Sequence, residues 1–365
     1  MRRQTAMTTH TLFPSIDAML APEVMSELAG QRITAVAQHR LTAEYARSGS
    51  QIFTVTTNDG QGPHFILKRV SLAWDWLMRS TKDVACRSVT LWQHGLFDQL
   101  PPEIQHRVLA CARDGDGWAI LMQDVGRDML PFKPFTVEQN QFFMRAMAAL
   151  HAQFWQQEIL HNPAVGLSVL ASLYQMFAPQ TAQPEATGDN NIPRRVIEGW
   201  GLMPAMLPTD VVALMAQLLA DPAPLCHALQ RYPITLVHGD WRHANLAWQP
   251  QQSQLVLLDW QLAAAAPPAV ELGRCLITNS PLLPVSKEET VEIYRQALAA
   301  RLGDRFSAEW WEPQLALGLL GGFLQDGWAL LLKATHWHAG EKHRAHWQAD
   351  LPWWIARVRE GARWL

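Results

Sequence analysis

An aspartate, an asparagine five residues on and a second aspartate fourteen beyond that could together move a phosphoryl group: Asp240, Asn245 and Asp259. They stand in Leu236-Val237-His238-Gly239-Asp240-Trp241-Arg242-His243-Ala244-Asn245-Leu246-Ala247-Trp248 and, after a polar turn, in Leu255-Val256-Leu257-Leu258-Asp259-Trp260. Phosphoryl transfer to a hydroxyl asks for a carboxylate that orients the hydroxyl and accepts its proton. It also asks for oxygen ligands that hold magnesium on nucleotide phosphates. Asp240 suits the first task, Asn245 and Asp259 the second. The bare spacing D-x-x-x-x-N is common by chance, so the specificity lies in the package: His-Gly before the first Asp, Asn after it, a turn, then an apolar run ending in Asp-Trp.

Positioning these groups requires short strands. The stretch 249–254 (Gln-Pro-Gln-Gln-Ser-Gln) reads as a hairpin connection, and an antiparallel return of that length brings Asn245 and Asp259 to the same end of the ribbon. Nearer the start, Gln51-Ile52-Phe53-Thr54-Val55-Thr56-Thr57 is β-branched and ends at Asn58-Asp59-Gly60, with Phe65-Ile66-Leu67-Lys68-Arg69-Val70 as the returning strand. Ser48-Gly49-Ser50 precedes the first of these strands, with small residues that let backbone N–H groups approach phosphate oxygens. Gly117-Trp118-Ala119-Ile120-Leu121-Met122-Gln123-Asp124-Val125-Gly126 reads as a strand running into a polar break. Thr136, with Gln139 three residues on, opens a helical pattern with a capping box.

HGDWRHANLAW…LVLLDW resembles the aminoglycoside phosphotransferase and choline kinase family of small-molecule kinases, with the similarity strongest over 236–275. The resemblance implies an α+β, two-lobed protein-kinase-like fold. A small N-terminal antiparallel β lobe (1–126) would bind the nucleotide, and a larger, mostly helical C-terminal lobe (127–365) would carry catalysis and the acceptor. It implies ATP and Mg2+ as cofactors and a small-molecule hydroxyl as acceptor. Asp240 would be the catalytic base, and Asn245 and Asp259 the metal ligands. Lys68, Ser48, Gly49, Ser50 and Ile66 would serve the nucleotide, with the hinge at Gln123 and Asp124 against adenine. Glu271 stands where the family more usually has Asp. The family also fixes its strand lysine with a helix glutamate; here that position is about Ser88, so either Asp83 substitutes or the lysine is held differently. That gap leaves a second reading, a nucleotide-binding pseudokinase acting as sensor or scaffold. A protein kinase fits less well, because no D-F-G or A-P-E follows Asp259.

Composition narrows the partners. In 365 residues, 30 Lys+Arg against 33 Asp+Glu give a net charge of −3, and no basic block appears, which argues against nucleic acid. No uninterrupted apolar run approaches about 18 residues, so no membrane span is expected. The first ten residues lack an apolar signal core, and the four cysteines are scattered without a C-x-x-C pair; a cytoplasmic protein with buried thiols is expected. The 17 tryptophans, many in the last third, read mainly as core fillers. Residues 178–193, rich in Pro, Gly, Asn and Gln, read as a surface loop that could cover the acceptor. Glu309, Glu312, Asp326 and Asp350 are the acids available there for a sugar, amino sugar, amino alcohol or aminoglycoside.

Overall fold

The computed structural model describes residues 9–41 and 48–365; the segment 1–8, at the start of the chain, lies outside the described residues. A five-stranded antiparallel sheet is built from β1 (Val36–Leu41), β2 (Gln51–Thr57) and β3 (Phe65–Val70). The short β4 (Ile104–Gln105) stands apart, and β5 (Val108–Asp114) and β6 (Gly117–Gln123) complete the sheet in the order β1-β2-β3-β6-β5. Period-two alternation decides its faces. Phe65 and Leu67 of β3 bury with Val55, Leu121, Met19 and Met25 under the N-terminal helices Ile16–Met19 and Pro22–Ala29. Lys68 and Val70 therefore face the other way, towards the helical part of the molecule.

The helical part encloses a second group of strands. β7 (Thr235–Val237) leads into the Asp240 loop, and β8 (Leu246–Gln249) and β9 (Gln254–Leu257) form a hairpin with Leu246 opposite Leu257. β4 adds to β9 in parallel, and β10 (Ala264–Ala266) pairs with β7. This is the two-lobed α+β architecture that the sequence resemblance implies.

Around these strands lie the helices Val137–Gln153, Ala269–Thr278, Lys287–Leu302, Ala308–Thr335 and Arg344–Ala362. The first opens with the capping box formed by Thr136 and Gln139. Helix Ala308–Thr335 has the length and apolarity to cross a membrane, with a mean hydropathy of 1.5 in its most apolar window, but 94% of that window is buried inside the protein. It is a core helix that other helices cover. It crosses Ala269–Thr278 where a Cβ on Gly273 would stand 2.1 Å from the Gly318 carbonyl oxygen and one on Gly322 would stand 2.5 Å from the Gly273 carbonyl carbon. Only glycines permit that approach.

Trp241, Trp311, Trp347 and Trp354 are each under 2% exposed, and all four cysteines are buried free thiols. Residues 178–193 differ from the loop expected. They contain the helical turn Pro179–Ala182 and the 3-10 turn Gln183–Glu185, and Glu185 is held by a bidentate pair to Arg79, 2.7 Å from its Nε. Pro179, Pro184 and Pro193 sit in the first turns of helical segments, where a missing N–H costs nothing. The prolines that suggested a loop are helix starts.

Candidate active site

The loop carrying Asp240 is shaped by glycine and held by glutamate. Gly239 has φ 81°, and a Cβ there would lie 2.3 Å from the Leu262 carbonyl oxygen, so no other residue fits. Glu271, on helix Ala269–Thr278, accepts the backbone N–H of His238 at 2.8 Å and that of Gly239 at 2.7 Å. His151 closes the assembly from behind, with Nε2 3.2 Å from Glu271 and Nδ1 2.5 Å from the Tyr294 hydroxyl. His238 accepts the Asp240 N–H at Nδ1 and donates from Nε2 to the Leu258 carbonyl at 2.9 Å, joining the loop to the end of β9. Glu271→Gln should turn an NH2 group towards one of these buried N–H donors. It is expected to cost about 1–3 kcal/mol in chemical denaturation, and an unchanged midpoint would contradict this role.

Four donors surround the Asp240 carboxylate. Oδ1 accepts from Arg274 Nε at 3.2 Å and Nη2 at 2.9 Å, and Oδ2 accepts from Arg242 Nε at 3.0 Å and Asn245 Nδ2 at 2.8 Å. Burial alone would raise its pKa, but Arg242 and Arg274 outweigh burial and hold the carboxyl well below the usual range. Asp240 is an anion at neutral pH. Arg274 also places Nη1 3.4 Å from Asp326 Oδ2 and its guanidinium 5.4 Å from the Phe177 ring centre. Asp326 is a buried acid of the Ala308–Thr335 helix, raised by desolvation against the pull of Arg274. Arg274 and Asp326 thus extend the site inward.

At the end of β9, Leu258 donates its N–H to the Asn245 carbonyl at 2.9 Å, so the hairpin register sets Asn245 beside the Leu258-Asp259 step. Asp259 adopts φ 63°, ψ 69°, a left-handed conformation that costs a non-glycine residue energy and is common at functional positions. Its Oδ1 accepts from Lys68 Nζ at 2.8 Å. Burial would lower the pKa of the lysine, yet Asp259 raises it overall, so Lys68 stays cationic.

A divalent cation can be tested against these groups. Among the described residues no group of three or more His, Cys, Asp or Glu is placed to hold a metal by itself. Asp259 and Asn245 offer hard oxygens, and the Asp259 carboxylate already balances one cation in Lys68. One carboxylate, an amide oxygen and substrate phosphates form the kind of set magnesium uses.

Other sequence-derived positions fall nearby or elsewhere. Ile66 lies on β3 opposite Met122, one strand from the break. At that break the Gln123 N–H goes to the Arg107 carbonyl and the Asp124 N–H to that of His64, while the Asp124 carboxylate accepts from Gly126 in an Asx turn. Ser48 and Ser50 join their hydroxyls at 2.9 Å. Asp83 does not reach Lys68: it accepts the Arg87 N–H at 2.9 Å on both oxygens and faces the Arg87 guanidinium. Arg87 begins the helix Arg87–Gln93 and donates to the backbone of Gln261 and Gly166. Where a glutamate could have reached the lysine, this helix sends a cation to the segment after Asp259.

An ethanolamine kinase of Plasmodium vivax shares the fold at 10% identity and a TM-score of 0.51, over 88% of this chain and 82% of that one. A choline kinase from Streptococcus pneumoniae matches at 13% identity and TM-score 0.47, over 92% and 96% of the two chains. An aminoglycoside phosphotransferase from Alicyclobacillus acidocaldarius matches at 14% and 0.43, over 90% and 93%. No curated protein matches the chain in sequence. The family model described as "Phosphotransferase enzyme family" matches residues 46–311. With most of its length matched, the chain belongs to that phosphotransferase family.

Proposed function

We propose that the protein transfers the ATP γ-phosphate to a hydroxyl of a small molecule. The observation that supports this best is an unbroken polar chain from the sheet to the loop: Lys68 to Asp259, the Leu258 step to Asn245, and Asn245 to Asp240. Asp240 would align the acceptor hydroxyl and take its proton as the bond to phosphorus forms. Lys68 would grip the nucleotide phosphates, with Ser48, Gly49 and Ser50 covering them and the stretch at Ile66, Gln123 and Asp124 beside adenine. Asn245 and Asp259 would hold Mg2+, which when bound neutralises charge on the phosphates. Arg242, 3.0 Å from Asp240, is the cation best placed to meet the transferring group.

The acceptor side bears on the substrate class. Of the four acids of the last third, Asp326 alone adjoins the Asp240 assembly, and Arg274 already faces it. Asp350 is spent on Lys287 and Ser280. Glu309 and Glu312 are exposed near the start of the long helix, roughly 21–26 Å along it from Asp326. At the site, Arg242 and Arg274 balance Asp240 and Asp326, so a polycation would meet little net negative charge. A neutral sugar, an amino sugar or an amino alcohol suits this environment better than an aminoglycoside.

The test is ADP release from Mg-ATP across a panel of sugars, amino sugars, amino alcohols and aminoglycosides, with Asp240→Asn alongside. A turnover signal that falls at least about 100-fold in Asp240→Asn is expected. Silence of the wild type across the panel would count against the reading.

A further inference from the structure

Lys68 reaches Asp259 in this structure, but a lysine that is to serve phosphates needs an anchor of its own once Asp259 serves a cation. Helix Arg87–Gln93 provides none: position 88 is serine, and Arg87 beside it is a cation that donates to the Gly166 and Gln261 backbone. A different acid lies close by. Asp75, fully buried, ends the turn after β3, and its Oδ1 accepts the N–H groups of Leu77 and Met78 at 3.0 Å each to cap helix Trp76–Ser80. Its Oδ2 is buried without a hydrogen-bond partner.

Gln261 is in the same condition. Its Nε2 is buried and unpartnered, while its Oε1 lies 3.5 Å from Lys68 Nζ. Burial pushes the Asp75 carboxyl up, and Lys68 is the strongest influence opposing it, with Gln261 also drawing it down. The three groups are therefore neighbours: an acceptor without a donor, a donor without an acceptor, and a lysine that both influence. A buried polar atom is costly to leave open. A small movement of Gln261 towards Asp75 would close both and leave the amide oxygen on the lysine. Asp75 also adjoins the serine turn: the Trp76 N–H goes to the Ser48 carbonyl at 3.0 Å, and a Cβ on Gly49 would stand 3.4 Å from the Asp75 Cα.

We propose that Asp75, acting through Gln261, is the positioning residue that holds Lys68 for the nucleotide phosphates when Asp259 turns to the metal. It replaces, from the loop after β3, the glutamate that the helix lacks. The inference rests on the phosphotransfer reading. It makes Asp75 an anchor and not a catalytic residue, since nothing places it against substrate.

Asp75→Asn separates the two jobs of this side chain, because asparagine caps a helix as well as aspartate does but carries no charge. Calorimetric titration with AMP-PNP and Mg2+ is expected to show affinity weakened about tenfold. The kcat for ADP release should drop about 10- to 100-fold, with the melting temperature close to that of the wild type. In a Lys68→Met background, adding Asp75→Asn should change AMP-PNP affinity no further, since the anchor would then have nothing to hold. Gln261→Met should reproduce the affinity loss, and it carries the test should Asp75→Asn not fold. Wild-type AMP-PNP affinity in both Asp75→Asn and Gln261→Met, or effects of Asp75→Asn and Lys68→Met that multiply, would overturn the role of Asp75 alone. A wild-type protein that neither binds AMP-PNP nor releases ADP would overturn the phosphotransfer reading and this inference together.

Discussion

Asp259→Asn is expected to lower kcat by about 1,000-fold or more while the protein unfolds at nearly the wild-type temperature. Asparagine tolerates the left-handed backbone that this position adopts at φ 63° and can still accept from Lys68, so neither strain nor a lost contact confuses the result. What goes is the negative charge. On the proposed assignment, the oxygen pair at Asn245 and position 259 would then be a poor site for a divalent cation, and a transferring phosphoryl group would lose most of its counter-charge. Metal dependence should change with it: half-saturation by Mg2+ in the residual activity should move to much higher concentration. Activity within about tenfold of the wild type, at an unchanged Mg2+ requirement, would sink the assignment of Asp259 as a metal ligand.

Arg274→Met is expected to give the largest loss of stability, about 3–5 kcal/mol at neutral pH, because it removes the shared cation between two buried carboxylates. Asp240 keeps Arg242 and Asn245, but Asp326 is left facing it with the weaker pulls of Lys333 and Arg242 in place of its direct partner. The sign with pH follows from the two acids. Asp240 is depressed in the folded protein, so its contribution is present above about pH 4, the unfolded value, and is lost as pH falls through the folded one. Asp326 is already raised by burial, and losing Arg274 raises it further, so in the variant it takes up a proton early as pH falls and sheds its penalty. The deficit of Arg274→Met relative to the wild type should therefore be greatest near pH 8 and shrink towards pH 5. Urea denaturation at the two pH values measures it, and a deficit that grows in acid would contradict the arrangement described.

What the sequence made legible was what local pattern controls. β2 and β3 follow from β-branched alternation around Asn-Asp-Gly, and helix Val137–Gln153 opens on the capping box that Thr136 and Gln139 spell out. The meeting of Asn245 with the Asp259 end of β9 follows from counting residues through a hairpin. Arg274 and Asp326 were less legible as a pair, since they lie on different helices and meet only through tertiary packing. A single acid amid the apolar run of Ala308–Thr335 was the available signal for Asp326. Asp75 gave less still. It looks like any capping residue after a strand, and its second oxygen acquires meaning only beside Gln261. The Asp83 alternative failed because the sequence could not reveal that Arg87 turns inward to claim it.

The glycine crossing of Ala269–Thr278 on Ala308–Thr335 also limits how this protein can diversify. Gly273, Gly318 and Gly322 lock backbone to backbone, so one flank of the long helix has no freedom to vary. That contact fixes the distance at which Arg274 meets Asp326. On the proposed reading, change of acceptor preference, in natural drift or in a directed-evolution library, would come from side chains further along the same helix and from those around Phe177. A library that samples the three glycines would spend its diversity on chains that cannot close.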